Sequence, residues 1–128
     1  MARVTGIGGI FFKAKDPEGL SKWYAEHLGL PLDQYGTMVL RWGAGSPDAP
    51  TGSTVFAPFP EDTDYFLPSN KPFMLNFRVD DLHALLAKLK AEGVAVDDKV
   101  EDHEFGLFGR IMDPEGNRVE LWQPKEGV

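Results

Sequence analysis

A strand followed by a capped helix occurs twice along this chain, and the repetition limits the folds open to it. In the first half, residues 7–15 read as a strand, and Asp16-Pro17 supplies the N-cap and first-turn residues of a helix. In the second half, residues 73–79 read as a strand, and Asp80 or Asp81 caps a helix. Further strand-like segments follow each helix. Each half is therefore predicted to be β-α-β-β-β.

Neither half could bury its helix alone, so the halves are expected to share one sheet. The predicted fold is α+β, with two β-α-β-β-β modules forming a cupped mixed sheet and the helices on its convex face. We expect a single domain over residues 1–128, with modules at about 4–58 and 72–124. The connector, residues 59–71, is proline-rich and carries Asp62, Asp64 and Tyr65. A solvated linker is the favoured interpretation, and a cap over the cup is the alternative.

Composition narrows the function classes. With 128 residues and 42% hydrophobic content the chain suits one globular domain. The absence of cysteine excludes disulfides, thiol nucleophiles and zinc-thiolate sites. A net charge of −7 argues against a nucleic-acid partner. No apolar run is long enough to span a bilayer, so we expect no membrane partner and a cytoplasmic protein.

The segment from Met112 to Pro124 predicts two strands joined by a tight Asp-Pro-Glu-Gly-Asn turn. Alternation in its second strand puts Val119 and Leu121 on one face and Glu120 and Trp122 on the other. The same reasoning puts Phe11 of the first strand on the cup face, and Met74, Asn76 and Arg78 of the second-half strand with it. A buried Asn76 and a buried Glu120 would both need hydrogen-bonding partners.

Three stretches together resemble the vicinal-oxygen-chelate superfamily, which includes glyoxalase I, extradiol dioxygenases and the fosfomycin- and bleomycin-resistance proteins. They are the closing hairpin, the helix-forming stretch from Asp16 to Leu30, and Phe77 to Leu82 at the second-half entry. The resemblance covers roughly residues 4 to 124. It implies the predicted fold, a homodimer, and, in the enzymes, a divalent metal held by one side chain from each of four strands.

The four positions that the resemblance assigns to the metal do not carry a ligand set. They fall on Gly9, on Met74 or Phe73, on Thr54 and on Glu120, of which Glu120 alone is a usual ligand. A single carboxylate does not hold a catalytic metal against water. We therefore expect no bound metal and no cofactor.

Glu120 is the candidate catalytic residue, as a general base at the polar end of an otherwise apolar cup. The opposing interpretation is that Glu120 pairs with Arg118 or Arg110 and does no chemistry. His103 and Glu104 precede the penultimate strand, either in a solvated loop or over the mouth of the cup. The predicted ligand-binding residues are these: Phe11, Trp42, Phe56, Met74, Asn76, His103, Glu104 and Trp122.

Two functions follow as hypotheses. The first is a small-molecule binding protein of the glyoxalase or bleomycin-resistance type, without the usual metal ligands. The alternative is a metal-dependent lyase or dioxygenase of the glyoxalase type, with a non-standard site around Glu120. Whether the chain is an enzyme stays open at this point, and a domain that offers only an interaction surface is a third possibility.

Overall fold

The computed structural model describes residues 2–45, 48 and 51–128. These residues form two helices, a short 3-10 turn and eight strands. The helices are α1 (Pro17–Leu28) and α2 (Leu82–Ala91), and the 3-10 turn is Trp42–Gly45. The strands are β1 (Val4–Ala14), β2 (Val39–Arg41), β3 (Ser53–Pro60), β4 (Phe73–Val79), β5 (Ala95–Val96), β6 (Glu101–His103), β7 (Gly106–Met112) and β8 (Arg118–Pro124).

All eight strands belong to one mixed sheet, in the order β2-β3-β1-β4-β8-β7-β5, with β6 paired to β7. Strands β1 and β4 run antiparallel at its centre, and each has a parallel neighbour, β3 and β8 respectively. The two halves therefore repeat the same local topology, and the α+β prediction is confirmed. Among the described residues, three strands lie in the first half and five in the second. Leu32 and Met38 form only an isolated bridge.

The helices begin where the capping residues predict. The Asp16 carboxylate accepts a hydrogen bond from the Gly19 backbone N–H at 3.0 Å. Asp81, rather than Asp80, caps α2 and accepts from the Ala84 N–H at 3.1 Å. Each cap satisfies a backbone donor that the first helical turn leaves free.

Both helices pack on one face of the sheet, and this placement leaves the other face for a cleft. On the α2 side, the apolar core contains Val79, Leu82, Leu86, Val119 and Leu121. The predicted alternation in β8 is therefore present, because Val119 and Leu121 pack beside α2 while Glu120 and Trp122 line the opposite face. No helix among the described residues is long and apolar enough to cross a membrane.

Strand β1 carries a register shift between Ile7 and Gly9, which changes what faces the cup. A Cβ built on Gly8 would lie 2.1 Å from Oδ1 of Asn76, and one on Gly9 would lie 2.6 Å from the Phe11 ring. Both glycines therefore face the cup, whereas simple alternation predicted only Gly9. Two adjacent positions share a face because a bulge interrupts the pleat.

Candidate functional site

A buried hydrogen-bond network centres on Glu120, whose residue surface is 1% exposed. Its Oε1 accepts a hydrogen bond from Nδ2 of Asn76 at 2.8 Å. Its Oε2 accepts from Nε of Arg110 at 3.0 Å and from the Tyr65 hydroxyl at 2.5 Å. Arg110 also forms an ion pair with Glu120 through NH2 at 3.0 Å. Both carboxylate oxygens are thus held by protein donors.

Strand register explains why three of these residues meet. Asn76 on β4 is the register partner of Glu120 on the parallel strand β8. Arg110 on β7 is the partner of the same Glu120 on the other side, in an antiparallel pair. Directly paired residues point to the same face of a sheet, so the three side chains form a row across adjacent strands.

Arg110 joins the network to the sheet's outer strands. It pairs with Glu101 of β6 as well as with Glu120, and its NH2 donates to the Tyr65 oxygen at 2.7 Å. Burial lowers the pKa of Arg110, but the Tyr65 hydrogen bond and the Glu120 charge outweigh it and hold the pKa above its ordinary value. The hydrogen bond from Arg110 holds the pKa of Glu101 below its ordinary value. Arg110 is therefore a cation between two carboxylates.

Tyr65 completes the network from the segment between β3 and β4. Burial, together with the Glu120 charge, raises the pKa of Tyr65 to about 12. The phenol therefore stays protonated at neutral pH and donates to Glu120 while it accepts from Arg110. Tyr65 is therefore protonated, and each oxygen of Glu120 already accepts a hydrogen bond from a protein donor.

A cleft of about 440 Å³ opens over this network on the helix-free face. Its apolar part is mainly aromatic, and the rings of Phe108 and Trp122 stack with centroids 5.8 Å apart. Residues from both halves line it, among them Gly8, Phe11, Val55, Phe59, Tyr65, Asn76, Phe105, Phe108, Glu120 and Trp122. The cleft is therefore a shared feature of the duplicated sheet, with the Glu120 network in its polar floor.

A family model described as a glyoxalase-like domain matches residues 9–122. The chain belongs to the glyoxalase-like domain family. No curated protein matches the sequence. Together with the structural neighbours described next, the match confirms membership of the vicinal-oxygen-chelate superfamily.

Solved structures share the fold of this glyoxalase-like domain. A methylmalonyl-CoA epimerase in complex with methylmalonyl-CoA and NH4+ has a TM-score of 0.71 at 17% identity, with 98% of each chain covered. The methylmalonyl-CoA epimerase from Mycobacterium tuberculosis gives 0.64 at 20% identity, covering 95% of this chain and 89% of the other. A variant of the Streptomyces coelicolor enzyme bound to 2-nitronate-propionyl-CoA gives 0.70 at 17% identity, with 98% of each chain covered. At these identities the likeness shows the fold alone.

Four of the sequence-predicted site residues line the cleft of this glyoxalase-like domain: Phe11, Asn76, Glu120 and Trp122. Met74 points to the same face but is fully buried below the cleft, where it packs with Phe11 and Phe66. Trp42 lies in the 3-10 turn, where its indole N–H donates to Thr54 at 3.0 Å.

The predicted placement of Phe56 in the cup is wrong. Its ring lies 5.2 Å from that of Phe12 and 4.9 Å from that of Tyr24 in α1, on the helix side of the sheet. Phe56 pairs with Ile10 on β1, and Val55 is the neighbour that faces the cleft. The sequence interpretation assigned the strand correctly but chose the wrong parity.

The hairpin after β6 does reach the cleft, although with different side chains than expected. His103 pairs with Glu101 at 3.0 Å, half exposed, and its ring lies against Phe108. Glu104 is exposed, and among the described residues it does not line the cleft. Phe105 lines the mouth instead. In this turn Phe105 therefore lines the cleft, whereas Glu104 is exposed to solvent.

The solvated-linker interpretation of the connector is also wrong. Phe66 is 1% exposed and packs against Phe11 and Met74, while Tyr65 bonds to Glu120. Arg118 fixes this segment by donating to the backbone oxygens of Tyr65 and Leu67. The adjacent aromatic pair in an otherwise polar, proline-rich stretch was the signal that could have shown that the segment is packed.

The residues present do not fit the metal that the superfamily resemblance implies. At the four strand positions, Gly9 and Met74 offer no hard ligand, and Thr54 donates its hydroxyl to the Ile7 carbonyl at 2.7 Å. Glu120 is already paired with Arg110. Among the described residues, no group of three or more His, Asp or Glu side chains could hold a metal ion.

Proposed function

We propose that this chain binds a small, largely apolar organic molecule in the aromatic cleft and does so without a divalent metal. The observation that carries the proposal is that both oxygens of Glu120 accept hydrogen bonds from protein donors, namely Tyr65, Asn76 and Arg110. Arg110 supplies the positive charge that a metal would otherwise bring to this carboxylate. We propose that Glu120 acts as the anchor of the cleft floor and not as a general base.

The cleft suits a ligand of modest size. Its volume of about 440 Å³ lies within the roughly 300–1,000 Å³ common for small-molecule sites. Phe11, Phe108 and Trp122 would provide most of the contact area, as flat aromatic surfaces. Such a lining favours an aromatic or otherwise apolar ligand body over a heavily hydrated one.

One buried polar atom of a cleft residue has no hydrogen-bond partner among the described residues. Oδ1 of Asn76 is buried and accepts no hydrogen bond among the described residues. Because Nδ2 donates to Glu120, Oδ1 points away from Glu120 and toward Gly8, which also lines the cleft. A buried acceptor left unpaired costs about 1–3 kcal/mol. A ligand N–H or O–H group would recover this cost, which makes Asn76 the proposed polar contact.

We also propose a homodimer, formed through the helix side of the sheet's centre. Ile7, Ile10, Phe73 and Leu75 lie on the paired strands β1 and β4 and are 37–42% exposed. Neighbouring exposed apolar side chains of this kind mark interaction surfaces. A second copy could cover them without touching the cleft, which opens on the opposite face.

The binding proposal is tested with N-phenyl-1-naphthylamine, a neutral fluorescent probe with two aromatic groups and one N–H donor. We expect saturable binding of one probe per chain. A matched pair of variants locates the site, since Phe108→Leu alters the cleft and Phe56→Leu makes the same change on the helix face. Losing the stacked ring should weaken binding about twofold to tenfold in the first variant and not in the second. Absence of binding, or equal effects of the two substitutions, would refute the proposal.

The proposal that binding needs no divalent metal is tested separately, by elemental analysis of protein purified without chelator or affinity tag. We expect no stoichiometric metal and no thermal stabilisation on adding nickel, zinc, manganese or iron(II). Near-stoichiometric metal would overturn this part and favour the lyase or dioxygenase alternative around Glu120.

A further inference from the structure

Arg78 is a second buried arginine on the cup face, and its environment differs from that of Arg110. The residue is 8% exposed. NH1 donates to the Ser53 carbonyl at 3.2 Å, and NH2 donates to the Val128 carbonyl oxygen at 2.6 Å. None of the ion pairs found among the described residues includes Arg78. Its hydrogen-bond acceptors are therefore two backbone oxygens, and no Asp or Glu side chain among the described residues pairs with it.

A buried guanidinium without an Asp or Glu partner is costly unless other groups stabilise its charge. Burial lowers the pKa of Arg78. Arg110, on the same face, has two carboxylates for one cation. The two buried arginines therefore differ, because Arg110 pairs with two carboxylate side chains and Arg78 with none among the described residues.

Aromatic rings hold Arg78 in place. Its guanidinium carbon lies 5.0 Å from the centroids of both the Trp42 and the Trp122 rings. The two indole N–H groups are fixed in turn, to Thr54 at 3.0 Å and to the Phe105 carbonyl at 3.0 Å. Cation–π contacts of this kind favour the cation and orient its plane. The guanidinium is therefore pre-positioned, at low entropic cost, for a planar anion.

The acceptors of Arg78 show where such an anion would lie. Ser53, Val128 and Gly127 all line the cleft, as does Trp122. The guanidinium consequently lies directly behind this part of the cleft wall, with the Val128 oxygen on NH2. Gly127 adopts a φ of 84°, the left-handed conformation that brings Val128 back to the sheet. Residues 127–128 therefore occupy the position that a ligand anion would need.

We propose that Arg78, held by Trp42 and Trp122, is a carboxylate subsite of the cleft, and that residues 127–128 dock on it when no ligand is bound. The proposal rests on the proposed binding function and narrows its ligand class. The ligand would carry a carboxylate at one end and an aromatic or apolar body, with an N–H or O–H donor toward Asn76. Arg41 also lines the cleft and would favour the same sign of charge.

A matched pair of probes tests the subsite. 8-Anilinonaphthalene-1-sulfonate is N-phenyl-1-naphthylamine with one added sulfonate, so a change of their affinity ratio between the parent and a variant reports what the substituted residue contributes to anion binding. We expect the sulfonate probe to bind about tenfold to a hundredfold more tightly, as charge-assisted hydrogen bonds allow. Arg78→Gln should abolish most of this preference. Arg3→Gln removes the same charge at an exposed position outside the cleft and should leave the ratio unchanged.

Two results would overturn the subsite while leaving the binding function intact. One is equal affinity for both probes in the parent protein. The other is an equal change of the ratio in Arg78→Gln and Arg3→Gln. Failure of the neutral probe to bind at all would instead refute the proposed function. Displacement of the sulfonate probe by 1-naphthylacetate but not by 1-naphthylacetamide is the result expected for a carboxylate site, and equal displacement would contradict it.

A second variant keeps the test decisive if Arg78→Gln does not fold. Gly127→Val leaves Arg78 in place and has open space for the new side chain, but a β-branched residue disfavours the positive φ. The docking of residues 127–128 on Arg78 should therefore weaken. The affinity for the sulfonate probe should rise as a result, by about fivefold to thirtyfold if docking is lost completely. The affinity ratio should rise with it. An unchanged ratio would refute the competition between this segment and the ligand.

Discussion

Replacement of Glu120 by glutamine is the sharpest test of whether this carboxylate anchors the cleft or performs chemistry. The substitution keeps the shape of the side chain and removes its charge. Every close polar neighbour of Glu120 is a donor, namely Tyr65, Asn76 and Arg110. The amide NH2 group of glutamine must therefore face a donor or force one of these side chains to turn.

The expected loss of stability depends on which ion pairs and hydrogen bonds remain in the Glu120→Gln variant. Removing one partner of a buried ion pair typically costs about 3–5 kcal/mol. Two features reduce this loss of stability. Arg110 keeps its second carboxylate partner, Glu101, and the Asn76 amide can rotate so that its Oδ1 accepts a hydrogen bond from glutamine. We expect Glu120→Gln to lower the free energy of unfolding by about 2–4 kcal/mol. In a domain of this size that corresponds to a fall of roughly 10 °C in Tm.

The assay is equilibrium unfolding in urea at pH 7, followed by tryptophan fluorescence and circular dichroism. Glu104→Gln, an exposed change in the nearby hairpin, is the control and should stay within about 0.5 kcal/mol of the parent. A double-mutant cycle with Tyr65→Phe should give a coupling energy of about 1 kcal/mol or more.

An anchoring role for Glu120 is refuted if Glu120→Gln is as stable as the parent or more stable. That outcome is typical of a catalytic carboxylate that is kept at the expense of stability. It would return Glu120 to the general-base role that the sequence interpretation gave it.

Two further predictions concern pH and assembly. The pKa of Tyr65 is raised from 10.0 to about 12, so its stabilising contribution is complete below pH 10 and is lost as pH rises toward 12. After allowance for solvent screening, the free energy of unfolding should fall by about 1–2 kcal/mol more in the parent than in Tyr65→Phe between pH 10 and pH 12. An equal fall in the two proteins, measured by unfolding curves over this pH range, would contradict the prediction. For the dimer, Ile10→Asp should give a monomer in light scattering where the parent is a dimer, and a monomeric parent at high concentration would refute that interface.

The fold was predictable because its signals are local and repeated. Asp16 and Asp81 indicate where the helices begin because each is an N-cap residue. Alternation in β8 correctly predicts that Val119 and Leu121 lie on the opposite face from Glu120. The site was less predictable because its partners come from different elements. The pairing of Arg110 with Glu120 depends on hairpin register, which left Arg118 as an equally valid candidate.

The errors have physical causes of the same kind. Phe56 was placed in the cup because parity is ambiguous in an apolar strand such as β3, where both faces are covered. The contact between Tyr65 and Glu120 was not predicted, because a high density of proline indicates a loop but does not show which residues the loop packs against. The bulge at Gly8 and Gly9 has no signal beyond the glycines themselves.

The charges on the cup face fit the proposed binding without a divalent metal. A buried carboxylate on β8 needs a compensating cation, and a divalent metal is only one way to supply it. Here Arg110 supplies it from the adjacent strand, with Glu101 fixing the guanidinium from β6. Because a guanidinium offers its N–H groups in fixed directions and has no open coordination position, it cannot polarise two vicinal oxygens of a substrate as a metal does. Under the proposed function, the charge of the ligand would be recognised by Arg78 on β4, between Trp42 and Trp122, and not by a group on β8.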